Sequence, residues 1–195
     1  MTFGKDSYVS SYLAGISWLL YSYYFVIARD TLLSSLFLTL GGFFAIKVFV
    51  ALYKMLKDED SGFALVIVVL GVAGALGTMI HGGYDLANAI NPPLTQNLDL
   101  PSQVDPRGLL SFGLTGLAIL KASWLMGKVK SFPKNLSYLG LLSGVLLLVI
   151  YLGRLIVLDP TSLVVKYPIL IEGFIVNPIW YLWLGWVFQK KLKLS

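Results

Sequence analysis

His81 and Asp85 stand four residues apart in a segment of helical period, which puts an imidazole and a carboxylate one turn apart on one face. Gly71, Gly74 and Thr78 precede them on that face and Asn88 follows. Its first part is small enough for another helix to approach closely, and its second part is a polar stripe unsuited to lipid. Later segments bring Tyr151, Arg154, Glu172 and Asn177 to the same level. A guanidinium there can hold an anion, and an imidazole beside a carboxylate can relay a proton or act as a general base. His81, Asp85 and Glu172 are acceptable metal-ligand types, but His81 is the chain's single histidine and no spaced ligand motif surrounds it, so no metal and no cofactor is assigned. A purely structural account of the same residues pairs Arg154 with Glu172 and His81 with Asp85, each neutralising the other near an interface.

The positioning of these groups depends on the rest of the chain. Of 195 residues, 57% are hydrophobic and 13% charged, whereas soluble domains have roughly half and a quarter. A water-soluble core cannot absorb that excess, but lipid can, because a spanning helix needs about 20 mostly apolar residues. Barrel strands would alternate apolar and polar residues, and the stretches 63–70 and 145–150 are continuously apolar instead. The expected fold is all-α: one domain over 1–195, a polytopic transmembrane helix bundle of about six spanning helices. The spans read at about 8–28, 31–55, 62–89, 109–126, 136–158 and 168–188. Asp6 and Ser7 suit the start of the first, Asp30 or Thr31 the second, Ser61 the third, and Pro168 the first turn of the sixth. Asn91, Pro92 and Pro93 stop the third, leaving one sizeable loop at 91–108. Pro178 frees the carbonyl of Phe174 and predicts a kink beside Asn177.

Charge sets the direction. Lys5, Lys54, Lys57, Lys128, Lys130, Lys134, Lys190, Lys191 and Lys193 fall on the amino-terminal side, against Arg29, Arg107, Arg154 and Lys166 on the other. The positive-inside rule then places both ends in the cytoplasm and the 91–108 loop outside. Lys47 and Lys121 lie about two turns from the cytoplasmic side and are expected to snorkel towards it. No small-residue cleavage pattern follows the first apolar segment, so a retained helix is expected there. The absence of cysteine excludes disulfides, thiolate metal sites and a cysteine nucleophile. The net charge of +5 belongs to loops beside apolar spans, which speaks for membrane orientation and against nucleic acid as a partner.

The runs His81-Gly82-Gly83-Tyr84-Asp85, Asp105-Pro106-Arg107-Gly108 and Asn177-Pro178-Ile179-Trp180-Tyr181 resemble those of small bacterial multi-pass, six-helix membrane proteins of unknown function. The resemblance implies the bacterial inner (cytoplasmic) membrane and carries over no activity and no functional residue.

Three functions are compatible with these residues. The first expected is a non-enzymatic accessory or interaction subunit, whose partners are the lipid bilayer and a membrane protein or a second copy of the chain. The Gly140–Gly144 pair would be the packing face in that case. The second is binding or transport of a small molecule or lipid headgroup in an outward-facing cavity formed by His81, Asp85, Arg154, Glu172 and Asn177. The third is an intramembrane lipid-modifying enzyme with His81 as general base.

Overall fold

The computed structural model describes residues 3–92, 109–157 and 162–192. Every element among the described residues is a helix. The first, α1, runs Phe3–Ser22 and continues as a wider π-helical stretch at Tyr23–Ala28; α2 is Thr31–Leu56 and α3 is Ser61–Ile90. The fourth, α4, opens with π-helical Leu109–Leu114 and continues as Thr115–Met126; α5 is Lys134–Ile156. The last, α6, is Leu163–Ile171, then π-helical Glu172–Val176, then Asn177–Leu192. Five of the six are long and apolar enough to cross a membrane, and the apolar part of α4, Ser111–Met126, is shorter. The expected 91–108 loop lies, beyond Pro92, outside the described residues, as do Asp105, Pro106, Arg107 and Gly108.

Local chemistry explains most boundaries. Asp30 caps α2 by accepting from the Leu33 N–H at 2.9 Å. Asp60, one residue before the expected Ser61, caps α3 by accepting from Phe63 N–H at 2.8 Å. Its carboxylate gains from the helix dipole as a serine hydroxyl would not. Two starts differ more. Helix α1 begins at Phe3 instead of near Tyr8, because its polar residues find partners on other helices: Asp6 pairs with Lys47 at 3.1 Å, and Ser11 donates to the Tyr181 carbonyl at 2.6 Å. Helix α6 begins at Leu163, with Pro168 inside it. There Val165, 1% exposed, packs over Gly153 of α5, a tertiary contact that overrides the preference of proline for a first turn. The expected break at Pro178 appears as the π-helical stretch immediately before it, where the Asn177 N–H reaches back five residues to the Glu172 carbonyl.

The helices form a closed ring in which each packs antiparallel on the next and α6 returns to α1. Glycines set the close approaches. A Cβ at Gly42 would lie 2.7 Å from the Ala75 carbonyl, one at Gly15 would lie 3.1 Å from the Pro178 carbonyl, and one at Gly71 would run into the Phe49 ring. The GxxxG pair of α5 is spent inside the ring: Gly144 faces Leu120 and Gly116 of α4, and Gly140 faces Ser123 and Trp180. The half of the ring nearer Phe3 and Leu192 is filled by Phe49, Leu52, Leu56, Leu125, Met126, Leu136, Trp180 and Leu184, all 1% exposed or less. The opposite half is not filled in this way.

Adjacent Gly82 and Gly83 give a sharp contrast. A Cβ at Gly82 would lie 2.6 Å from the backbone nitrogen of Thr39, whereas one at Gly83 would meet nothing within 4 Å. Gly82→Ala should therefore lower the unfolding free energy by about 1–3 kcal/mol by pushing α3 off α2. Gly83→Ala should raise it by about 0.5–1 kcal/mol through helix propensity. Chemical unfolding in detergent, followed by helix content, measures both.

Candidate functional site

In the half of the ring away from Phe3 and Leu192, the six helices enclose two connected spaces. A vestibule of about 240 Å³ is bordered by Arg29, Asp30, Thr31, Ser34, Asp85 and Arg154 at the end where α1 turns into α2. Tyr21, Phe25, Leu38, His81 and Arg154 border both this vestibule and a deeper chamber of about 80 Å³. The chamber is walled by Trp18, Phe112, Leu147, Ile150 and Ile169, and Glu172 and Asn177 bring polar groups to it. Residues from all six helices take part.

The three π-helical stretches all belong to this wall, contributing Phe25 and Val26, Ser111 and Phe112, and Glu172 and Gly173. Such stretches are well under 1% of residues in ordinary proteins and concentrate at functional sites, because the extra residue widens the turn and redirects side chains. At the rim, Arg29 has φ 53°, the one positive φ at a non-glycine among the described residues. An L residue pays roughly 1–2 kcal/mol there.

The deep carboxyl defines the chemistry. Glu172 is 3% exposed. Its Oε1 accepts from Ser143 Oγ of α5 at 2.5 Å and from Asn177 Nδ2 at 3.1 Å. Its Oε2 has no partner within the protein, nor do Asn177 Oδ1 and Thr115 Oγ1, all on residues that line the same chamber. Other hydroxyls of the walls are committed to their own helices: Thr78 donates to the Gly74 carbonyl, and Ser34 and Ser35 to that of Thr31.

Of the residues singled out in sequence, His81 Nε2 and Asp85 Oδ2 lie 3.2 Å apart, with side chains 14% and 34% exposed. Arg154 sits at the rim with its guanidinium 5.9 Å from the centroid of the Phe112 ring. It does not pair with Glu172: the acid–base pairs among the described residues are Lys47–Asp6 and His81–Asp85. Glu172 and Asn177 meet directly, one turn apart across the π-helical stretch. Asn88 and Tyr151 do not line either space. Sequence reasoning missed Trp18 and Tyr21 of α1, Ser34 of α2, Ser111 and Thr115 of α4, and Ser143 of α5. Ser111 and Thr115, four residues apart in an apolar segment, were a readable signal; the lone Ser143 was not. Lys47 reaches Asp6 and lies over the Phe43 ring, and Lys121 lies over the Phe63 ring, both away from the cavity.

No histidine, aspartate and glutamate group of three or more suited to a metal ion occurs among the described residues. No protein-family model, curated protein or solved structure matches the chain. The fold and the cavity define its class: among the described residues, an all-helical ring with five helices of membrane-spanning length and apolarity, holding a chamber with a buried carboxyl.

Proposed function

We propose that the chain is an integral membrane protein of the inner (cytoplasmic) membrane, crossing it six times with both ends cytoplasmic, and that its outward-opening cavity binds or transports a small molecule or lipid headgroup. The observation that carries this reading is the chamber under the vestibule, closed at depth by a carboxyl oxygen that no protein group satisfies. A half-satisfied buried carboxyl costs stability unless something completes it, which is the usual signature of a site kept for a ligand. Two further features support the same reading. The outside of α3 exposes Leu65, Val69, Leu76 and Ile80 at 44–62%, a contiguous apolar stripe that suits lipid. The strained Arg29 and the guanidinium of Arg154 frame the mouth, where they can receive an anionic part of a ligand.

The cysteine-free chain provides the test. Ser34→Cys places a thiol on the wall of the vestibule, and Ser137→Cys places one in the packed half, where Ser137 borders neither space. A charged, membrane-impermeant methanethiosulfonate added outside intact cells should modify the first within minutes and leave the second unmodified. Failure to modify Ser34→Cys, or modification only from the cytoplasmic side, would overturn the outward-opening cavity.

A further inference from the structure

The unsatisfied atoms of the chamber are alike in kind, and that likeness identifies a ligand group. As a carboxylate, Glu172 accepts hydrogen bonds only at Oε2, as does the amide oxygen Asn177 Oδ1, and Thr115 Oγ1 can accept as well. Trp18 Nε1, which can only donate, lies beside the Tyr181 hydroxyl. Most of what is missing is therefore N–H or O–H donors, delivered to a carboxyl in an apolar setting. The wall of the same chamber also includes Trp18, Tyr21 and Phe112, and aromatic ring faces attract cations. Of the protein cations, Arg29 borders the vestibule alone, while His81 and Arg154 border both spaces, with the Arg154 guanidinium 5.9 Å from the Phe112 centroid; none of them forms an ion pair with Glu172 among the described residues.

Size narrows the class. A chamber of about 80 Å³ is roughly half the 150 Å³ cavity that accepts benzene. It fits an ammonium with a few methylenes, and the rest of a longer molecule would extend into the vestibule. An inorganic monovalent cation would need a close shell of oxygens, and beyond Glu172 Oε2, Asn177 Oδ1 and Thr115 Oγ1 the chamber wall is largely aromatic and aliphatic. A quaternary ammonium would satisfy the rings but carries no N–H for the two acceptors.

Building on the cavity reading above, we propose that the chamber selects a small primary ammonium group, which donates to Glu172 Oε2 and Asn177 Oδ1 and lies against Trp18, Tyr21 and Phe112. Ser143 and Asn177 Nδ2, by holding Oε1, aim the other carboxyl oxygen at the ligand. They are positioning groups. Binding is non-covalent, and no bond is made or broken.

The test is calorimetric titration of the full chain in nanodiscs with n-butylamine, n-butanol, tetramethylammonium chloride and sodium chloride, on wild type and on Glu172→Gln. Saturable binding of butylamine is expected, with affinity at least roughly tenfold above butanol and tetramethylammonium, and a loss of roughly ten- to a hundredfold in Glu172→Gln. Asn177→Leu provides a second variant with the carboxyl intact, and a smaller loss of roughly three- to tenfold is expected from it. Equal binding of butanol or tetramethylammonium, binding of sodium alone, or butylamine binding unchanged in both variants would overturn the ammonium assignment. If butylamine fails to bind while Ser34→Cys is modified from outside, the assignment falls and the cavity reading stands; if Ser34→Cys is also unmodified, both fall.

Discussion

Gly144→Ala and Gly140→Ala are each expected to lower the unfolding free energy by about 1–3 kcal/mol, the usual cost of overfilling a close-packed contact. A Cβ on Gly144 would lie 2.7 Å from Leu120 Cβ, 2.8 Å from the Leu120 backbone nitrogen and 2.9 Å from the Gly116 carbonyl. Two of these three are backbone atoms, so relief requires moving α4 bodily away from α5. On Gly140 the methyl would run into the Ser123 hydroxyl and the Trp180 indole nitrogen, both on residues with no exposed surface. Relief there can come from side chains, and Gly140→Ala combined with Ser123→Gly should recover part of the loss while Gly144→Ala has no such partner change. The measurement is chemical unfolding in detergent, with light scattering on the folded protein as a control. A variant that unfolds like wild type but changes oligomeric size would show that these glycines serve a contact between chains instead of the α4–α5 seam.

Glu172→Gln is expected to leave the unfolding midpoint unchanged or to raise it, the reverse of what a structural clasp would do. The amide keeps an oxygen to accept from Ser143 and Asn177, and its nitrogen brings two donors to the position of Oε2, on the chamber that also holds the unsatisfied Asn177 Oδ1. It also removes an ionisable group from a site 3% exposed, which relieves a desolvation cost of a few kcal/mol at most after local relaxation. A gain of about 0–2 kcal/mol together with loss of ammonium binding is the combination expected where stability has been given up for a ligand. A drop of about 2 kcal/mol or more would instead identify Glu172 as the tie between α5 and α6 through Ser143. Thermal unfolding with and without n-butylamine separates the two, since only wild type should gain stability from the amine.

Much of this molecule is readable from composition and period. Long apolar runs dictate helices because no other element satisfies the backbone over twenty apolar residues. Asp30, Asp60 and the Asn91–Pro92 stop then mark ends through chemistry local to a few residues. The α3 face carrying Gly71, Gly74, Thr78, His81 and Asp85 was legible for the same reason: helical spacing alone puts these residues on one side. Glu172 and Asn177 were legible as polar residues in an apolar segment, and Pro178 as the cause of the distortion beside them.

The tertiary structure decided what these groups meet. Sequence offers Arg154 as a partner for Glu172, yet Glu172 is held by Ser143, a small hydroxyl on α5, 29 positions away and indistinguishable in sequence from any packing serine. Sequence offers Gly140 and Gly144 as a packing face, within the bundle or towards a partner, and in the structure α4 lies on them. It reads Lys5, Asp6 and Ser7 as chain before a helix, yet Asp6 belongs to one because Lys47 of α2 pairs with it. In each case the sequence determined which chemical groups the helices carry and at what spacing, because those follow from the period of one helix. Which groups face one another, and that six helices close around an unfilled chamber, depends on how helices rotate and approach in the ring, and that is set by contacts between residues far apart in the chain.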